Sequence, residues 1–199
     1  MNFEKIKDGF EIATQLSPLE ILYNKLPINS LNGFNEPLDM YSLYARNAPS
    51  DRLSPQQTDE LREKNDWPDS ILDNIRTKDE AIIYSDANLK VENIEGKDSL
   101  IRTDIDYNQE VDGQTNLERM KQGKCPISYD GQNIELHHIG QNPNASLAEL
   151  TTTEHRGTKN DMTLHDKTEE SKIDRVSFRT ERENYWRARA EQIENQRNG

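Results

Sequence analysis

The sequence predicts a mixed α+β fold. Three observations carry that expectation: short capped helical segments in the first half, two hairpin signals, and a C-terminal stretch with helical periodicity. The 199 residues suffice for one domain of ordinary size or two small ones. Leu, Ile, Val and Phe total 40 residues, 20% of the chain, which is the level below which a highly charged chain is expected to stay disordered. The core is therefore expected to be modest, with part of the chain ordering only against a partner or a metal.

Read in order, Ser17-Pro18-Leu19-Glu20 sets a cap and a first-turn proline before Ile21 and Leu22, predicting a helix to about Lys25. The stretch 27–56 is rich in Pro, Asn, Gly and Ser and poor in apolar residues, so residues 1–56 form a loop-rich, partly helical segment. Residues 57–110 follow as a small α/β segment. In it, 57–65 reads as a short polar helix, and Trp67-Pro68-Asp69 opens a second that presents Ile71, Leu72 and Ile75. Thr77-Lys78-Asp79-Glu80 fits a capping box ahead of Ala81, Ile82 and Ile83. Leu89, Val91 and Ile94, then Glu95-Gly96, then Leu100 and Ile101 predict a hairpin.

A third segment covers residues 111–199. Asn116 to Gln122 reads as a short helix closed by Gly123. Asp130-Gly131 predicts a hairpin turn between Ile127-Ser128-Tyr129 and a strand running from Gln132 through Leu136 to His137-His138. A terminal helix from about Ser177 to Asn195 carries Phe178, Tyr185, Trp186 and Ile193 mostly along one face.

Charge and composition exclude several functions. No apolar run approaches the roughly 18–20 residues that span a bilayer, and Met1-Asn2-Phe3-Glu4-Lys5 lacks the basic start and apolar stretch of a signal peptide. Neither export by that route nor membrane insertion is expected. The lone Cys125 closes no intrachain disulfide and builds no Cys-rich zinc site, so a metal must be held by imidazole and oxygen. The net charge of −12 opposes a polyanionic partner. It is unevenly spread: residues 1–115 carry 12 Lys and Arg against 23 Asp and Glu, whereas residues 116–199 carry 13 against 14. The arginines between 175 and 190 could face nucleic acid, or could form a solvated helix with internal ion pairs such as Arg179 with Glu183.

All four histidines, His137, His138, His155 and His165, fall within 29 consecutive residues, beside Arg156 and Lys159. Imidazole can both accept a proton near neutral pH and ligate a transition metal, so the cluster points to hydrolytic chemistry. Neighbours on a strand face opposite ways, so His137 and His138 share a site only if the strand ends or twists there, as Gly140 and Pro143 permit. The ten-residue gap from His155 to His165 excludes a single-helix i, i+4 pair. Asn160 stands near a helix end, where an Asn is most often a cap or a turn residue.

The run Ile134 to Gln141, then Leu147-Ala148-Glu149-Leu150-Thr151, Glu154-His155-Arg156-Gly157 and Leu164-His165, resembles the LHH nucleases of the HNH/endonuclease VII superfamily, found as C-terminal modules of bacterial polymorphic toxins. The resemblance extends back through Thr115 to Met120 and Gly123, and forward through Ser171 to Arg175 and Tyr185 to Ala190. More weakly, Trp67 to Asp106 resembles a segment that often precedes the module. The resemblance implies a ββα-metal, treble-clef-like core with flanking helices, preceded by a small, mainly helical acidic region. It implies a divalent ion (Mg²⁺, Mn²⁺, Zn²⁺ or Ni²⁺) held by His137, with His165 and Asn160 as further ligands. It implies His138 as the base, with His155 and His165 completing the catalytic set. DNA is the substrate so implied, with Arg156, Lys159, Arg179, Arg182, Arg187 and Arg189 binding phosphates. A toxin RNase, or a non-catalytic acidic binding protein with a structural metal, stands as the alternative. The resemblance further implies delivery into the cytoplasm of target bacteria, a cognate immunity protein, and delivery or chaperone contacts through residues 1–110.

Overall fold

A computed structural model of the chain describes residues 52–168 and 170–198. The expected helix at 18–25 and most of the 27–56 loop lie outside the described residues. The remainder is a mixed α+β structure, as expected, and forms one compact unit. No described helix is long and apolar enough to cross a membrane.

Three helices come first: α1 (Pro55–Asn65), α2 (Asp69–Leu72) and α3 (Lys78–Asp86). Ser54 and Gln57 form a full capping box on α1. At α3 the expected box is half made: the Thr77 hydroxyl accepts from the Glu80 amide. The Glu80 side chain is engaged elsewhere, accepting from the Arg76 and Gly140 amides and the Tyr84 hydroxyl. The predicted hairpin is present as β1 (Leu89–Ile94) and β2 (Lys97–Arg102), turning at Glu95 and Gly96 with positive φ. After a small ribbon, β3 (Glu110–Val111) with β4 (Gln114–Thr115), comes α4 (Asn116–Lys121), capped by a Thr115–Glu118 box.

The turn at Asp130-Gly131 forms, but its first arm makes only a single bridge, Ile127 to Asn133. The reason is local: the buried Asn116 side chain takes both the amide and the carbonyl of Ile127, removing them from a ladder. The strand that carries the histidines, β5 (Ile134–His138), pairs instead with β6 (Leu147–Thr151), antiparallel, with His137 opposite Ala148. Strand β6 in turn runs parallel to β2, giving the order β1-β2-β6-β5, so the segments 57–110 and 111–199 share one sheet. Helices α5 (Thr152–Arg156), α6 (Thr158–Leu164) and α7 (Arg175–Asn198) complete the fold.

Alternation along the strands sorts the core into two layers. Leu100, Ala148 and Leu150 pack with Trp67, Ile71, Tyr84 and Leu164 on one face. Ile101, Ile134, Leu136 and Leu147 pack with Met120, Tyr185, Trp186 and Ile193 on the other. In the second layer Glu149 is fully buried. It accepts from the Tyr185 hydroxyl, Arg189 Nε and the Arg102 amide, at 2.9, 3.0 and 2.9 Å. Arg189 is 2% exposed and is therefore a core residue, not a nucleic-acid contact. Its place on the helical face of Tyr185 and Trp186 puts it inside, where Glu149 compensates its charge. Removing one partner leaves a buried charge unpaired, so Arg189→Ala should lower the unfolding free energy by about 3–5 kcal/mol in denaturant titration.

Candidate metal centre and active site

Strand β5 lies at the sheet edge and ends at His138. Its alternation sends Glu135 and His137 toward one face and Leu136 and His138 toward the other. On the first face, His137 meets Tyr84, His155 and His165, with ring centroids 6.4, 5.0 and 5.2 Å away. On the second, His138 stacks at 4.4 Å from Phe178 of α7. Both histidines nevertheless line one cavity of about 450 Å³, because an edge strand that stops can be approached from either side.

Two short helices deliver the remaining imidazoles. Thr151 and Glu154 form a capping box that starts α5, placing His155 in its last turn. Gly157 then breaks the helix: a Cβ there would lie 2.5 Å from the Thr153 carbonyl oxygen. Helix α6 turns the chain back and ends at Leu164, with His165 as its cap.

His137 Nδ1 stands 3.1 Å from His155 Nε2, which stands 3.2 Å from His165 Nε2, and the ligand atoms of all three lie within 4.8 Å of one another. Two imidazoles on a tetrahedral zinc ion would hold their nitrogens about 3.3 Å apart, from Zn–N bonds of about 2.0–2.1 Å. Hydrogen bonding on the outer nitrogens fixes what the inner ones present. His155 Nδ1 donates to Glu135 Oε2 at 2.6 Å, and His165 Nδ1 to Asp161 Oδ1 at 2.9 Å. In the neutral rings both Nε2 atoms then carry lone pairs that face each other, an arrangement that a shared cation satisfies and a hydrogen bond between neutral rings does not. Burial pushes His137 well below the ordinary histidine range, and neighbouring His155 and His165 push the same way. His165 is lowered likewise, by burial first and then His155. Neutral rings are the ligating form. For Glu135, burial favours the neutral acid, but bonds from His155 and Arg156 outweigh it and hold the carboxyl below its usual range.

His138 is arranged differently. Nε2 lies 3.0 Å from Glu181 Oε2, so the carboxylate accepts a hydrogen bond from its N–H and the lone pair is left on Nδ1, which is buried and has no partner among the described residues. Burial lowers the His138 pKa, with Glu181 opposing.

The sequence therefore brings His137, His155 and His165 together and sets His138 beside them. Asn160, the further ligand expected, donates from its side-chain amide to the Glu154 carbonyl at 2.9 Å, tying α6 to α5. Among the expected phosphate contacts, Arg156 and Arg182 line the cavity. Arg156 is held by Glu135 at 2.7 Å. Arg182 lies over the Phe178 ring at 5.1 Å and, with Arg179, also lines an adjoining groove of about 360 Å³. Lys159 and Arg187 are exposed but line neither. Glu183 pairs with Arg187, four residues on, rather than with Arg179. Sequence reasoning missed Glu135, Asp161 and Glu181. Glu135 had a signal, standing two residues before His137 and so on its face of the strand, whereas Glu181 is 43 residues from His138 and had none.

Glu135→Gln should weaken metal binding by about 10–100-fold in a chelator-competition titration, since it removes the charged acceptor that orients His155. Gly140, at φ +66°, has no room for a side chain: a Cβ would lie 2.0 Å from the Asn74 carbonyl oxygen. Gly140→Ala should cost about 2–4 kcal/mol in unfolding free energy.

Residues 115–192 match the family LHH, described as a nuclease of the HNH/ENDO VII superfamily with conserved LHH. The tripeptide Leu136-His137-His138 lies inside that span. No solved structure matches the chain. The three-imidazole cluster and its cavity are built within this matched stretch, so the part of the chain that is similar to the LHH nucleases is the part that holds the candidate site.

Proposed function

We propose that the chain is a metal-dependent endonuclease that hydrolyses phosphodiester bonds of DNA. One observation carries the reading: the triad His137, His155 and His165 opens onto the same cavity as His138 and the cationic side chains Arg156 and Arg182. His137, His155 and His165 would hold a divalent ion, whose positive charge would stabilise the charge that develops on the phosphate. An all-imidazole donor set suits Zn²⁺ or Ni²⁺ better than Mg²⁺.

The chain's own groups do the rest. His138 takes the proton from the attacking water. Its lowered pKa keeps it neutral at working pH, and Glu181 and Phe178 fix its tautomer and ring plane. Arg156 and Arg182 bind substrate phosphates, and Arg175 and Lys167 at the cavity wall add to the attraction. The net charge of −11 in residues 1–115 keeps that half away from DNA.

By the same reading the nuclease is a toxin, delivered into the cytoplasm of target bacteria and silenced in the producing cell by a cognate immunity protein. Residues 1–110 offer contacts to delivery, chaperone or immunity proteins. The resemblance to toxin modules supports this part. His138→Ala should reduce plasmid nicking by about 10²–10⁴-fold, the usual contribution of a general base, while thermal midpoint and metal content stay at wild-type values. Wild-type nicking rates in that variant reject His138 as the base. Parallel digestion of plasmid and total RNA tests the substrate, with RNA cleavage alone rejecting DNA. Expression of the wild-type chain in bacteria should arrest growth and His138→Ala should not.

A further inference from the structure

The family match begins at residue 115, yet side chains from the preceding segment grip the backbone that carries the histidines. Arg76 lies between α2 and α3. Its Nη2 donates to the carbonyls of Thr163 and Leu164, at 3.1 and 3.0 Å, the last two residues of α6 before His165. Its Nη1 donates to Gln141 Oε1 at 3.1 Å, and the same oxygen accepts from the Asp166 amide at 2.6 Å. One guanidinium thus bridges the helix end next to His165 and the turn that follows His138.

Glu80 completes the grip. It is fully buried, accepts from the Gly140 amide and the Tyr84 hydroxyl at 2.8 Å each, and accepts from the Arg76 amide at 2.9 Å. Its Oε2 also lies 3.4 Å from Arg76 Nε. The strand end bearing His137 and the helix end bearing His165 are therefore fastened to a single pair of charged residues, four apart in sequence.

The physical need is plain. Helix α6 has seven residues and Leu164 as its only fully buried side chain, too short to hold itself. Its final carbonyls have no partners within the helix, and His165 follows directly. A planar guanidinium presents several donors in a fixed fork and can take two carbonyls and an amide oxygen at once, which an ammonium cannot. Metal–nitrogen distances tolerate only about 0.2 Å.

We propose that Arg76, oriented by Glu80, is a positioning residue for the metal-binding triad, holding His165 at ligating distance from His137 and His155. The segment before residue 115 is then part of the nuclease site. This rests on the metal-dependent reading above.

Co²⁺ titration of the full chain tests it, following the visible ligand-field bands, with wild type, Arg76→Gln, Arg76→Lys and the core variant Leu72→Ala compared. Arg76→Gln should bind Co²⁺ about 10–100-fold more weakly, with altered bands. Arg76→Lys, which keeps the charge but not the fork, should recover only part of the affinity and keeps the test decisive if the glutamine variant fails to fold. Leu72→Ala should lower the thermal midpoint and leave the affinity of the folded protein unchanged. Wild-type affinity and bands in the Arg76 variants, or a loss no greater than in Leu72→Ala, overturn the positioning role alone. A wild-type chain that binds no Co²⁺ overturns both this proposal and the reading beneath it.

Discussion

Two imidazole nitrogens, His155 Nε2 and His165 Nε2, face each other at 3.2 Å with their protons committed elsewhere, to Glu135 and Asp161. That opposition of lone pairs is unfavourable by itself. Most of the structure near it serves to impose it: a capping box fixes His155, Gly157 turns the chain, and Arg76 and Glu80 hold the ends that carry His165 and His137. Burial adds to the effect by keeping His137 and His165 neutral, the form in which a ring can ligate.

The same edge strand separates two jobs for adjacent residues. Alternation sends His137 to the face packed by the first helices and His138 to the face packed by α7, so each acquires a different partner set. His137 meets two further imidazoles and the Tyr84 ring, and His138 meets one carboxylate and one phenyl ring. Because β5 stops at His138, the two faces share a cavity there. An interior strand covered on both sides by neighbours would have kept the two imidazoles apart.

The arginines of α7 show how a charge run dissolves into separate roles once the helix is seated. Arg189 shares the buried face with Tyr185 and Trp186 and neutralises Glu149 within the core. Arg187 is held by Glu183. Arg182, laid over Phe178, and Arg179 remain beside the cavity and its adjoining groove, with no carboxylate partner among the described residues.

Local signals were legible in the amino-acid order. The capped helices, the Glu95-Gly96 hairpin, the terminal helix and the four clustered histidines follow from short-range preferences and spacing, which act within a few residues and leave a pattern. Tertiary structure decided what distance along the chain conceals. It paired β5 with β6 rather than with the 127–129 arm, because Asn116 had taken the backbone of Ile127. It set His155 beside His137 and His165, and it brought Glu181 to His138 and Arg76 to Leu164. Contacts between residues 43 and 88 positions apart leave no local periodicity, since they are settled by how the layers pack around the sheet and not by the residues next to them.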